Sequence, residues 1–101
     1  MRKRFESFAE FYPFYLAEHA SRTNRRLHFF GTSLVIALAL FALFTARWSL
    51  LLALPVAGYG FAWVGHFLVE KNRPATFSHP FYSLIGDFAM WRDMISGRIR
   101  W

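Results

Sequence analysis

The chain has 101 residues, 55% of them hydrophobic and 21% aromatic, with 13 Phe, no Cys and a formal net charge of +6. A domain this small has too little interior to hide so much apolar surface, so a bilayer or an oligomer has to cover part of it. Without cysteine there is neither a disulfide framework nor a thiolate metal site, and any bound metal falls to His, Asp, Glu, Asn or water. The positive residues flank apolar runs and form no continuous stripe, which suits anionic lipid head groups and gives no groove-reading motif for a nucleic acid. The basic start is followed by Glu6, Glu10 and Glu18, not by a short apolar core, so no cleavable signal peptide is expected.

In chain order, residues 4–20 place Phe5, Phe8, Tyr12, Tyr15, Leu16 and His19 at spacings near three and four. This predicts an amphipathic helix lying in the membrane interface, with Pro13 kinking it or starting a second helix. The cluster Ser21–His28 is basic, and Asn24, His28 and Thr32 share a face at i, i+4, i+8. Phe29–Ala46 then runs 18 residues without a charge, and Leu50–Val69 runs 20, with Pro55 inside and Arg47-Trp48-Ser49 between. These lengths predict two spans, about 28–46 and 49–70, in a helical hairpin. Because 18 residues is at the short limit for a span, a soluble bundle is the alternative at this point. Pro80 opens a last amphipathic helix, about 80–96, with Leu84, Phe88, Trp91 and Ile95 in a stripe and Gly97 as its C-cap. Asp87, Arg92 and Asp93 fall off that stripe. The expected fold is all-α: one integral membrane domain over residues 1–101, two spans with amphipathic helices at both ends.

Six Lys and Arg lie in residues 1–28, five in residues 70–101, and only Arg47 between the spans. The positive-inside rule puts both termini in the cytoplasm and the short turn outside. The hairpin then sets His28, just before the first span, beside His66, near the end of the second. His19 and His79 belong to segments that fold over the same edge, so all four histidines can converge on one side. Tyr59, Trp63, His66 and Glu70 fall on one face of the second span, and a polar stripe there should face protein. The neighbouring stripe of Gly58, Ala62 and Gly65 lets another helix approach closely. Imidazoles with a carboxylate and open positions suit iron and oxygen chemistry, with Glu70 as a ligand or as the acceptor behind His66. Asn24 joins Glu70 as a candidate catalytic group. Arg73 and Lys71 are candidates to hold an anionic substrate head, with Tyr59 and Trp63 lining the site. Zinc or manganese with hydrolytic chemistry, and a non-catalytic membrane protein, remain open on the residues alone.

The patterns His19-x4-Asn24-x3-His28-x2-Gly31 and Gly65-His66-x3-Glu70-x3-Pro74-Ala75 resemble a family of small membrane proteins. Its type is the fungal 2-hydroxy-fatty-acid dioxygenase of phytosphingosine breakdown, and the run Asn72–Phe77 looks like its short bacterial branch. The resemblance implies an Fe(II) enzyme in a bacterial inner membrane that shortens a 2-hydroxy fatty acid by one carbon with O2. It implies His19, His28 and His66 as iron ligands, with His79 outside the shared core. The expected partners are membrane lipid, the fatty-acid-like substrate and O2. Two spans make a thin scaffold around a metal, which a homo-oligomer would close.

Overall fold

A computed structural model of the chain describes residues 5–101. Four α-helices carry it: α1 Phe8–Ala17, α2 Arg22–Thr45, α3 Ala53–Trp63 and α4 Pro80–Ile95. A 3-10 turn, Trp48–Leu52, leads into α3, and a π-helical segment, Val64–Glu70, prolongs it. No strand occurs among the described residues.

Each boundary has a local cause. Ser7 caps α1, its Oγ accepting from the Glu10 N–H at 3.2 Å. Pro13 sits inside α1 and no second helix starts there; the expected start at residue 4 lies outside the described residues. Helix α2 begins earlier than the expected span, because Ser21 supplies the cap and draws the basic cluster into the first turns. It ends where Ala46 turns left-handed at φ 55°. Pro55 falls in the first turn of α3, where its missing N–H costs little.

The runs Arg22–Thr45 and Trp48–Glu70 are both long and apolar enough to cross a membrane. They pack as the expected antiparallel hairpin, and glycines set the register. A Cβ on Gly31 would stand 2.9 Å from Phe61 Cβ, one on Gly58 would stand 3.3 Å from Val35 Cγ2, and one on Gly65 would overlap the Asn24 side chain. Residues 24, 31 and 35 thus meet 65, 61 and 58, a pairing that runs in opposite directions along the two helices. Two members of the expected small-residue stripe, Gly58 and Gly65, are close-approach points.

The terminal helices fold over one end of this hairpin. Helix α4 lies against α2, with Trp91 Nε1 donating to Ser33 Oγ at 2.9 Å. Helix α1 lies against α4, with Tyr12 donating to Asp93 Oδ2 at 2.7 Å and the Tyr15 ring seated on Gly86. Phe5, Phe11, Tyr15, Ala75, Met90 and Met94 form the buried core at this end. The apolar stripe of α4 faces away from the core. Leu84, Phe88 and Ile95 are exposed, while Ser83, Gly86, Ala89, Met90 and Asp93 are buried. The small residues win because they let α4 approach α1, and the aliphatic stripe is left for an apolar surround. The hairpin itself exposes a belt of large apolar side chains, including Phe44 at 81% and Leu52 at 80%. Surface of that kind marks contact with lipid or protein.

Candidate metal centre

Three of the four histidines meet. His19 follows the end of α1, His28 lies in the second turn of α2, and His66 lies in the π segment; all three are buried. Their ring centroids stand 4.3, 4.4 and 4.9 Å apart. One nitrogen from each lies within 4.8 Å of the others. His19 Nε2 and His28 Nε2 are 3.0 Å apart.

The hydrogen bonds behind the rings decide what those nitrogens can do. His19 Nδ1 is 2.6 Å from the Tyr15 carbonyl, His28 Nδ1 3.0 Å from the Asn24 carbonyl, and His66 Nδ1 2.7 Å from Asn72 Oδ1. Carbonyl oxygens only accept, so each Nδ1 carries its hydrogen and donates it. The Asn72 amide is fixed in the required sense, because its Nδ2 donates to the Glu18 carbonyl and to Glu18 Oε2, both at 3.0 Å. All three Nε2 atoms are therefore bare lone pairs. Two lone pairs facing each other at 3.0 Å repel unless a cation lies between them. For metal–nitrogen bonds of about 2.0–2.2 Å, neighbouring ligands stand about 3 Å apart. Burial, and then the neighbouring His28, hold the His19 imidazole well below its ordinary pKa, so it stays neutral and able to ligate. The three imidazoles thus fit a metal ion, with no cysteine to close the site. The hollow they border has about 10 Å³ of free space, room for one ion or water.

The other expected site residues divide. Tyr59 and Trp63 line this hollow, with Ser83 and Asp87 from α4. Glu70 stands behind the site: it accepts from the Ser21 N–H and from Asn24 Nδ2 at 3.4 Å, tying the end of the second span to the start of the first. The acceptor for His66 is Asn72, where Glu70 was expected. Asn24 serves through its backbone carbonyl, its side chain clasped between Glu70 and Gly65. His79 is not with the other three. It precedes α4, bonds Ser78 Oγ at 2.8 Å and packs on Phe5 and Phe11, the aromatic core having claimed it. Lys71 and Arg73 border a separate open hollow with Phe67, Asn72 and Phe77, and Arg73 stacks over Phe77 at 4.9 Å.

A second space opens beside the metal hollow. A cavity of about 400 Å³ lies between α2, α3 and α4, lined mainly by apolar groups such as Val35, Leu54, Pro55 and Phe88. His28, Tyr59, Ala62 and Asp87 line both spaces, so the two adjoin. Asp87 is the single charged residue on either lining, and the Tyr15 hydroxyl donates to its Oδ1. Burial raises its carboxyl to about 6, against the pull of that hydrogen bond. No role had been assigned to Glu18, Asn72, Ser83 or Asp87 from the sequence. Two signals were available: Asn72, Ser83 and Asp87 belong to the pattern that resembles the short bacterial branch, and Ser83 and Asp87 are spaced i, i+4.

A family model described as 2-hydroxy-palmitic acid dioxygenase Mpo1-like matches residues 5–99. The chain belongs to this family. The match takes in all three histidines and every residue that orients them. No curated protein and no solved structure matches the chain.

Proposed function

We propose that this Mpo1-like protein is a membrane-embedded, histidine-ligated Fe(II) dioxygenase that shortens a 2-hydroxy fatty acid by one carbon. The observation that carries the proposal is the convergence of three buried imidazoles whose Nδ1 atoms are all engaged, leaving three bare Nε2 atoms on one small hollow. The family name supplies the reaction class and the substrate class. His19, His28 and His66 hold the metal. Bound there, iron supplies open positions for O2 and substrate and the redox chemistry between them.

The chain's own residues do the rest. Tyr15, Asn24 and Asn72 fix the rings, and Tyr15 also stacks on His19 at 4.1 Å. The adjoining cavity takes the acyl chain, and its apolar lining keeps water from the reacting carbon. The hairpin crosses the bilayer with both termini in the cytoplasm, so the site lies near the inner edge and the chain enters from lipid. Lys71 and Arg73 then sit at head-group level and meet lipid phosphate, outside the reacting hollow.

The test is iron analysis and oxygen uptake on protein purified in detergent, with 2-hydroxypalmitate as substrate. Wild type should carry iron and consume oxygen, and His66→Ala should lose both. Wild type without iron, or His66→Ala with its full iron content, would defeat the proposal. A hydrolytic metal centre would show metal and no oxygen uptake.

A further inference from the structure

Helix α4 presents two unsatisfied hydrogen-bonding groups to the metal hollow. Ser83 Oγ is buried and has no partner among the described residues. Asp87 Oδ1 is taken by Tyr15, and among the described residues its Oδ2 has no hydrogen-bond partner. The two are spaced i, i+4, so they share a face of α4 about one turn apart. Both line the metal hollow, but only Asp87 also lines the apolar cavity. Leu84 and Phe88 continue that cavity wall beyond it. Along the site the order is therefore a hydroxyl donor, then a carboxylate acceptor, then an apolar wall.

A 2-hydroxy acid has the complementary order: a carboxylate that only accepts, a hydroxyl that can donate, then a hydrocarbon chain. We infer that Ser83 and Asp87 form a reader for the head of the substrate, Ser83 donating to the carboxylate and Asp87 Oδ2 accepting from the 2-hydroxyl. This deepens the proposed function and rests on it. The linings exclude the reverse orientation. A substrate carboxylate placed against Asp87 would meet a like charge with no Lys or Arg on either lining to offset it. An unsubstituted acid would leave Asp87 Oδ2 buried against the chain without a donor. Such a mismatch gives the larger discriminations, because the site's own polar group is stranded. Ser83 and Asp87 act as positioning residues; neither belongs to the histidine cluster.

The experiment is anaerobic calorimetry on metal-loaded protein in detergent, so that binding is read without turnover. The ligands are 2-hydroxyoctanoate and octanoate, with metal content measured on each variant. Metal chelation by the hydroxy acid is common to all variants, so the comparison is of preference ratios between them. Asp87→Ala should cut the preference for the hydroxy acid by about 10- to 100-fold, the range for a hydrogen bond to a charged group. Asp87→Asn, which keeps an uncharged acceptor and the Tyr15 contact, should fall between. Ser83→Ala should weaken both acids by a similar factor, about 3- to 10-fold, and leave the preference unchanged. An unchanged preference in both Asp87 variants at full metal content would overturn the inference and leave the dioxygenase proposal standing. If Asp87→Ala loses its metal or its fold, Asp87→Asn alone decides: a wild-type preference there overturns the inference. A wild type that binds no iron would defeat the function itself.

Discussion

Asn72 does for His66 what backbone carbonyls do for His19 and His28. It is the one orienting group of the three supplied by a side chain, so it is the one that mutation can remove alone. Asn72→Ala deletes the acceptor for His66 Nδ1–H and the two bonds to Glu18, freeing the ring to rotate or change tautomer. Loss of a partner behind a metal-bound histidine costs about 10- to 100-fold in metal affinity. That loss should appear in a competition titration against a chelator. Asn72→Asp retains the acceptor toward His66 but sets a carboxylate against Glu18, so it should fall between wild type and Ala. If Asn72→Ala holds metal as tightly as wild type, the hydrogen bond has no orienting role. At this scale the sequence spoke unevenly. The histidines could be placed from hairpin geometry, since the start of one span must neighbour the end of the other. Glu70 was misassigned because an i, i+4 spacing to His66 ignores how the helix ends. Lys71 turns left-handed at φ 59°, the Asn72 N–H returns to the His66 carbonyl at 2.9 Å, and the Asn72 side chain comes with it. A left-handed Lys costs of the order of 1–3 kcal/mol and is held only by tertiary contacts, which a residue pattern does not show.

The elements were legible where composition alone decides them. Two uncharged runs and a proline-opened last helix both appear, whereas the cap at Ser21, which carries α2 further back than its apolar run, was not read. The π segment Val64–Glu70, which carries the buried His66, was not legible, since no residue type marks a π turn; π turns of this kind recur at functional sites. The aliphatic stripe of α4 faces outward, as an interfacial helix requires, whereas the small and polar residues that seat α4, Ser83, Gly86, Ala89 and Asp93, were not singled out for burial. Glycines provide a paired test of the hairpin. At Gly31 an added Cβ meets Phe61 Cβ at 2.9 Å, an atom fixed to backbone that cannot swing aside. Gly31→Ala should therefore push α2 from α3 and cost about 1–3 kcal/mol, the usual range for overpacking. At Gly60 an added Cβ meets nothing within 4 Å. Gly60→Ala should leave stability unchanged or raise it by up to about 1 kcal/mol through helix propensity. Thermal unfolding in one detergent compares the two, and equal shifts would mean that the helices are not in contact at Gly31.

At the scale of the molecule, the two spans and the cap of terminal helices divide the labour. The long axis is 45 Å, about the full thickness of a bilayer with its head groups. Helix α2 has 24 residues, so it is about 36 Å long, enough to cross a hydrocarbon core of about 30 Å. His28 lies six residues in, about 9 Å along, a depth that on the proposed insertion a lipid tail can still reach. The charges bear on the proposed orientation: in the sequence eleven of the twelve Lys and Arg flank the two spans, and Arg47 lies alone at the turn between them. Because the chain has no cysteine, single reporters can test this orientation directly. Arg47→Cys and Ser96→Cys both place a thiol at an exposed position, at opposite ends of the hairpin. In intact bacterial cells a membrane-impermeant maleimide should label Arg47→Cys, and should label Ser96→Cys only after permeabilisation. The reverse pattern would invert the topology and move the metal centre to the outer edge. Labelling of neither in intact cells, with the protein in the soluble fraction, would mean that a second copy and not lipid covers the apolar belt.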